Sequence, residues 1–237
     1  MTSSDEHRDI LDEQIEYYRA RASEYDDWFL RIGRYDRGEE ATRQWFEEVE
    51  VVRREMASVP LDGLEVLELA PGTGIWTEEI VGRARHLSVV EASSEMIELN
   101  RQRLGERASS VTYVQANLFD WQPERNFDAV VFCFWISHVP AERIDAFLRS
   151  VATMLDAGGW VFFLDSRREG TSTAKDHVLP GDDEEVMTRR LDDGREFSIV
   201  KNFWDSRRLE EKCEAAGLEV EVRETGHYFQ YGIGRHR

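Results

Sequence analysis

An open, mostly parallel α/β sheet with helices on both faces is the architecture that the order of elements in this 237-residue chain predicts. Three observations point to it. Between Glu65 and Asp165, short β-branched and aromatic runs alternate with stretches of helical period. Those runs are apolar almost throughout, as strands covered on both faces must be. The first of them breaks on the small-residue turn Ala70-Pro71-Gly72-Thr73-Gly74 before a helical pattern starts, which exposes backbone at a strand end. Such alternation makes the strands parallel and sends the connecting helices to the two faces.

In chain order, apolar positions at Ile10, Leu11, Ile15, Tyr18, Ala22, Tyr25 and Phe29, then Trp45, Phe46, Val49 and Val52, predict two leading helices separated near Gly33. The spacing then predicts strand Glu65–Leu69, helix Ile75–Arg83, strand His86–Glu91 and helix Ser94–Leu104, capped by Ser93 or Ser94. Strands Val111–Gln115 and Phe127–Phe134, helix Ala141–Leu155 ending at Gly158-Gly159, and strand Trp160–Asp165 complete the alternation. Arg167–Glu185 is polar, rich in Gly and Asp, and reads as an inserted loop. Met187–Leu191 and Arg195–Lys201 flank Asp192-Asp193-Gly194, the pattern of a hairpin with Gly in the left-handed position. Helix Ser206–Ala216 stops at Gly217, and Leu218–Val222 and Tyr228–Ile233 supply final strands. No internal repeat or long linker is present, so one domain with a cap is expected.

Composition narrows the function. The formal charge of -18, from 48 acidic and 30 basic residues, opposes both a nucleic-acid backbone and an anionic bilayer. The acidic run Asp182-Asp183-Glu184-Glu185 reads as solvated loop, and no metal is assigned. Cys133 and Cys213 are far apart and show no metal-ligand spacing, which fits a reduced, intracellular protein. Met1–Asp9 is polar and acidic, unlike a signal peptide, and no apolar stretch nears the roughly 20 residues of a membrane span. A cytoplasmic location is expected.

In open parallel sheets, ligands bind beyond the carboxyl ends of the strands, where the strand order reverses. The Gly72-Thr73-Gly74 turn sits at such an end. A dinucleotide fingerprint needs a third glycine where this chain has Thr77, so nicotinamide chemistry is disfavoured. Glu91 ends the second strand, where a carboxylate can accept both hydroxyls of a ribose. Glu68-Leu69-Ala70-Pro71-Gly72-Thr73-Gly74, Glu91, Gln115-Ala116-Asn117-Leu118 and the apolar strand Phe127–Phe134 resemble the class I S-adenosylmethionine-dependent methyltransferases. The resemblance runs from about Tyr18 to Arg223.

That resemblance implies a Rossmann-like, mostly parallel seven-stranded sheet with helices on both faces, an N-terminal helical lid over 9–58 and a cofactor core over 64–165. A loop and hairpin cap would occupy 167–204, and a helix with closing strands 205–237. It implies S-adenosylmethionine as cofactor. The turn, with Glu68, Ala70, Gly72, Thr73, Gly74, Trp76 and Thr77, would hold the methionine portion; Glu91, Ala92 and Met96 would serve the ribose side, and Asn117, Leu118 and Phe134 would complete the pocket. Two positions depart from the family pattern: Ala70 replaces the usual first glycine, and Asn117 replaces an aspartate, keeping an acceptor oxygen but losing charge. Tyr18, Ala22 and Tyr25 form one helical stripe, which is core packing or, by resemblance to lid helices of small-molecule methyltransferases, a cover over the cofactor.

Methyl transfer requires an aligned acceptor and excluded water. A neutral acceptor needs a base; an anionic one needs only cations to hold it. His138 follows the fourth strand on the cofactor's side of the sheet, placed either as a base or as a hydrogen-bonded structural histidine. In a three-residue hairpin loop Leu191 faces Arg195, and alternation then puts Arg189, Leu191, Phe197, Ile199 and Lys201 on one face. The two cations either snorkel to water or bind substrate, and a one-residue slip would separate them.

The segments Tyr17–Asp26, Leu118-Phe119-Asp120-Trp121, His138-Val139-Pro140, Asp193-Gly194-Arg195 and Ile199-Val200-Lys201 resemble phosphonate O-methyltransferases of natural-product pathways. By that resemblance Arg189 and Lys201 hold an anion, with Tyr25 and His138 beside it. The expectation is a small-molecule O-methyltransferase without nucleic-acid or membrane partners. N- or C-methylation, and a non-catalytic cofactor-binding regulatory domain, stay open at this level.

Overall fold

A computed structural model describes residues 3–182 and 184–237; Met1, Thr2 and Asp183 lie outside the described residues, and with them part of the amino-terminal segment and one member of the acidic run. Strands β1 (Glu65–Leu69), β2 (His86–Glu91), β3 (Val111–Gln115), β4 (Phe127–Cys133) and β5 (Leu155–Ser166) are joined by β8 (Leu218–Glu224) and β9 (Phe229–His236) in one seven-stranded sheet. The order is β3-β2-β1-β4-β5-β9-β8, and β6 (Val186–Arg190) with β7 (Glu196–Val200) forms a separate hairpin. β1 to β5 pair in parallel, while β9 runs antiparallel to both neighbours. The order reverses between β1 and β4, so the turn after β1 opens at the switch point.

Helices α3 (Glu39–Ser58) and α4 (Thr77–Val81) cover one face; α6 (Ile144–Met154) and α7 (Ser206–Ala215) cover the other. Strand alternation feeds both layers. Leu67, Leu69, Val130, Phe132, Val161 and Phe163 pack under α6 and α7, whereas Val66, Val89, Val131, Phe162 and Leu164 meet Trp45, Val49, Val52, Met56 and Ile80. Burial on both faces is why β4 and β5 carry unbroken apolar runs, over 129–133 and 160–164.

Several boundaries differ from the sequence expectation. Three helices, not two, precede β1, because the first pattern splits into α1 (Ser3–Arg21) and α2 (Tyr25–Leu30) around a 3-10 turn at Ala22–Glu24. Gly158-Gly159 does not cap α6; it lies inside β5, where the pairing with β4 shifts register between Phe127 and Ala129. A Cβ on Gly159 would stand 2.9 Å from Asp156 O and 3.1 Å from Asp128 O, so the glycine lets the irregular strand close up. Helix α4 begins at Thr77 rather than Ile75. Ser93 caps α5 (Ser94–Leu104), its hydroxyl accepting from Met96 N at 3.1 Å.

The hairpin has the predicted register. Arg189 pairs with Phe197 and Met187 with Ile199, Leu191 N donates to Arg195 O at 2.9 Å, and Gly194 takes φ +89°. Met187, Arg189, Leu191, Ile199 and Lys201 are buried on the face that α1 covers. The outer edge of β7 would leave backbone N–H groups unpaired. Two side chains of α1 cap it: Glu13 accepts from Ser198 N at 2.6 Å and Gln14 from Val200 N at 3.0 Å.

Candidate active site

The turn after β1 is held in a shape that few residues accept. Ala70, Gly72 and Gly74 all have positive φ, at +51°, +55° and +89°. A side chain on Gly74 would meet Asn100 Cγ at 2.9 Å, so this glycine serves close packing of the turn on α5. Ala70 carries a Cβ in the left-handed region, at a cost of roughly 1–2 kcal/mol. Thr73 is clamped from outside: its hydroxyl donates to Asp26 Oδ1 at 2.6 Å, its carbonyl accepts from Arg103 Nε at 2.8 Å, and Arg103 also pairs with Asp26. Glu91 reaches the same turn from β2, accepting from Gly72 N at 3.3 Å and Ser93 N at 3.0 Å. Burial raises its pKa, and those backbone amides oppose the rise.

Beneath the turn Glu68 is 1% exposed, with neither carboxyl oxygen in good hydrogen-bond geometry. Its polar neighbour is the Thr77 hydroxyl, which accepts from Asn100 Nδ2 at 3.0 Å. Burial pushes the Glu68 carboxyl up to about 8; Thr77 lowers it slightly and Glu91 adds to the rise. Trp76, Thr77 and Met96 likewise sit behind the turn, Trp76 edge-on to Phe29 at 6.2 Å.

In front of the turn lies a narrow cavity, partly open to solvent. Of the residues singled out from sequence, Tyr18, Ala70, Glu91, Ala92, Asn117 and Leu118 line it. Leu11, Gln14 and Ile15 of α1, with Ser93, Phe119 and Trp135, were not anticipated. Asn117 Oδ1 accepts from Phe119 N at 3.0 Å, an arrangement that an aspartate could share. Trp135 has a buried indole N–H without a partner. A carboxylate, an amide, an orphaned donor and apolar walls suit a nucleoside: polar groups for the sugar and base edge, flat surfaces for the ring.

A second cavity of similar size adjoins it, sharing Tyr18 as a wall. Tyr25, His138, Arg189 and Lys201 line it, so every residue expected at the acceptor converges there; Phe134, expected in the cofactor pocket, lines this cavity instead. Arg21, Trp28, Ser166, Ser172, Leu179 and Phe203 line it too, and sequence reasoning missed them. Phe134 has φ +56° at the point where the chain leaves β4. Tyr25 stands over Gly72, where a Cβ would come within 4.0 Å of its Cζ, and so links the cavity to the turn.

His138 has both ring nitrogens engaged. Nδ1 lies 2.7 Å from Val200 O, which can only accept, so Nδ1 carries the proton; Nε2 accepts from the Tyr18 hydroxyl at 2.8 Å. Burial, then the nearby Lys201 charge, holds its pKa well below the ordinary imidazole range, and the ring is neutral. Lys201 Nζ donates to Ser137 Oγ at 2.7 Å and lies 3.5 Å from the buried Asp165 carboxylate. Burial lowers its pKa and Asp165 opposes this. Arg189 donates from Nη1 to Thr173 Oγ1 at 2.6 Å and contacts His177 Nδ1 at 2.9 Å, while its Nε has no partner. Among the described residues no three His, Cys, Asp or Glu side chains gather as a metal site, and no helix is long and apolar enough to cross a membrane.

A cofactor-dependent α/β enzyme, with one cavity at the sheet's switch point suited to a nucleoside and a polar, cation-lined cavity beside it, is the class that fold and site define. A methyltransferase-domain family model matches residues 66–159. The structure is similar to DhpI, solved as a DhpI-SAH complex (TM-score 0.76) and a DhpI-SAM-HEP complex (TM-score 0.77). Identity is 34% in both cases, over 95% of this chain and 96% and 97% of the respective DhpI chains. The ubiquinone biosynthesis O-methyltransferase of Thiobacillus denitrificans is 28% identical over 164 residues, 68% of this chain and 67% of that one. The Vibrio parahaemolyticus enzyme of the same name is 29% identical over 105 residues, so the chain spans 44% of that relative's length. The protein belongs to the class I S-adenosylmethionine-dependent methyltransferases.

Proposed function

We propose that the protein methylates an oxygen of a small anionic metabolite, phosphonate- or carboxylate-like, using S-adenosylmethionine. The observation that carries this is the placement of two buried cations, Arg189 and Lys201, in the chamber that shares Tyr18 with the nucleoside cavity. When bound, S-adenosylmethionine supplies a sulfonium methyl: an acceptor lone pair forms the new O–C bond while the S–C pair returns to sulfur. An anionic oxygen has no proton to lose, so no base is required. His138 then serves to fix the Tyr18 hydroxyl, through the hydrogen bond that uses its free lone pair.

In this proposal Glu91, Ala92, Asn117 and Leu118 hold the adenosine, and the Ala70–Gly74 turn, with Glu68, Trp76, Thr77 and Met96 behind it, shapes the methionine end. Arg189 and Lys201 grip the anion through charge-assisted hydrogen bonds, and Tyr25 and Phe134 exclude water. The N-terminal helices act as the lid, and loop and hairpin as the cap. Support for a small acceptor over nucleic acid comes from the formal charge of -18 and from the chamber's place between the lid helices and the hairpin. The O-methyltransferase names of the curated relatives support oxygen as the acceptor atom. We place the reaction in the cytoplasm, on the ground of the two separated cysteines, and in a natural-product pathway, following the family resemblance.

Turnover of an anionic panel by wild type and Lys201→Ala is the direct test. The expected outcome is a fall in kcat/KM of roughly 10–100-fold, the worth of one charge-assisted contact, with cofactor binding retained. Equal turnover by both proteins would remove the anion-holding role.

A further inference from the structure

The acceptor chamber holds one more cation than the hairpin supplies. Arg21, at the end of α1, lines it and is 6% exposed. It stacks on the rings of Tyr25, Tyr17 and Tyr35 at 4.8, 5.6 and 5.8 Å, which fixes the guanidinium in place. Its one hydrogen bond among the described residues runs from Nη2 to the Tyr35 hydroxyl at 3.2 Å, and its Nε has no partner. No carboxylate of the described residues lies within 4.0 Å of it in an ion pair.

Arg31 shows what a structural buried arginine looks like in this fold. It is as deeply buried and its Nε, like that of Arg21, has no partner, but its fork donates to two backbone carbonyls, Ser172 O at 3.3 Å and Thr171 O at 2.5 Å, and it stacks on Trp45. Arg21 has a single neutral phenol for its five N–H donors. Burying an arginine without an acceptor is costly, and such a cost is sustained where a ligand supplies the missing charge.

Charge accounting says how much charge is missing. Arg21, Arg189 and Lys201 face a chamber whose lining includes no Asp or Glu, and the neutral His138 adds nothing. Asp165, paired with Lys201, offsets one of the three. Arg21 and Arg189 are left without an ion-pair partner among the described residues, Glu24 and Asp27 acting on Arg21 only from beyond contact distance.

We propose that Arg21 is a specificity-determining residue that reads the second negative charge of a dianionic tetrahedral headgroup. The inference presupposes the anionic acceptor proposed above and narrows it from anions in general to dianions. Methylation at one headgroup oxygen converts the dianion to a monoester monoanion with no proton transferred. The product therefore matches the chamber less well than the substrate, which favours its release and disfavours a second methylation.

The test uses a short alkylphosphonate at a pH where its second ionisation is complete. The comparison ligands are its monomethyl ester and the carboxylate of equal chain length, both as inhibitors. For Arg21→Gln the expected result is a rise in KM for the phosphonate of about tenfold or more, with kcat little changed and both monoanions inhibiting as in wild type. Arg21→Lys, which keeps the charge, is expected to recover part of the loss. S-adenosylhomocysteine affinity, measured by calorimetry, reports whether each variant remains folded. Equal weakening of dianion and monoanions, or no change at all, would overturn the role of Arg21. Carboxylate methylation by wild type with none of the phosphonate would overturn the dianion reading alone, whereas no turnover of any anionic acceptor would overturn the anionic-acceptor proposal itself, and Arg21's role with it.

Discussion

Glu68 shows how a single buried side chain ties the cofactor turn to pH. Its carboxyl is unpaired and its pKa is raised from 4.5 to about 8. For an acid whose folded pKa exceeds the unfolded one, the folded state binds the extra proton. The stabilising contribution is complete below pH 4.5 and is lost as pH climbs through 8. Replacing Glu68 with neutral Gln is therefore expected to raise the melting temperature more at alkaline than at mildly acidic pH, by about 2–4 °C for each kcal/mol removed. Calorimetric melts at both ends of that window check it, and an identical variant-to-wild-type difference at the two would contradict a raised pKa. Among single residues, the sequence made Glu91, Asn117 and Lys201 legible because each stands at a strand end or in a strand pattern. Arg21 was not legible. Its helix position says which stripe it shares, but only the docking of α1 against the hairpin says what that stripe faces.

At the scale of elements the hairpin is the most informative case. Its register followed from the Asp192-Asp193-Gly194 turn and from alternation, and a slip of one residue would have turned Arg189 and Lys201 to solvent. The same turn is its weak point, since Gly194 sits at φ +89°. Gly194→Val would put a β-branched residue where even an unbranched one costs roughly 1–2 kcal/mol. We expect a higher acceptor KM with unaltered S-adenosylhomocysteine affinity by calorimetry, because the turn's contacts through Asp192 are to Glu24 and Arg34, neither of which lines the nucleoside cavity. Loss of cofactor affinity would show that the hairpin and the nucleoside cavity are not separable. The split of the leading helices was harder to read: Ala22–Glu24 carries no Gly or Pro, and the continuous apolar stripe concealed the 3-10 turn.

Across the whole molecule, α1 is the element common to both chambers. Leu11, Gln14, Ile15 and Tyr18 close the nucleoside cavity, while Tyr18 and Arg21 close the other. A ligand seated in either cavity adds contacts to the helix that forms its wall and so damps that helix's local opening. Residues 11–25 are accordingly expected to exchange amide hydrogens faster in the free protein than with S-adenosylhomocysteine bound, whereas β1, β4 and β5 should not respond. Hydrogen exchange with mass-spectrometric readout distinguishes this from a rigid cover, which would leave α1 unchanged. The sheet itself was the most legible layer, because burial on both faces imposes apolar runs that no other environment requires. Element ends such as Gly158-Gly159 were less so: a glycine pair suits a helix stop and a strand irregularity equally.

Tyr18 belongs to both chambers at once, and that bears on how relatives of this enzyme can diverge. With the cavities assigned as proposed, a change at Tyr18 alters the cofactor pocket and the acceptor pocket together, so selection for a new substrate can seldom act there without damaging the shared methyl donor's seat. The walls free to vary are those that touch only the second chamber: Ser172 and Leu179 in the loop, Phe203 beyond the hairpin, and the hairpin's inner face. New acceptor preferences should accumulate in those segments, while the tyrosine at the partition stays fixed.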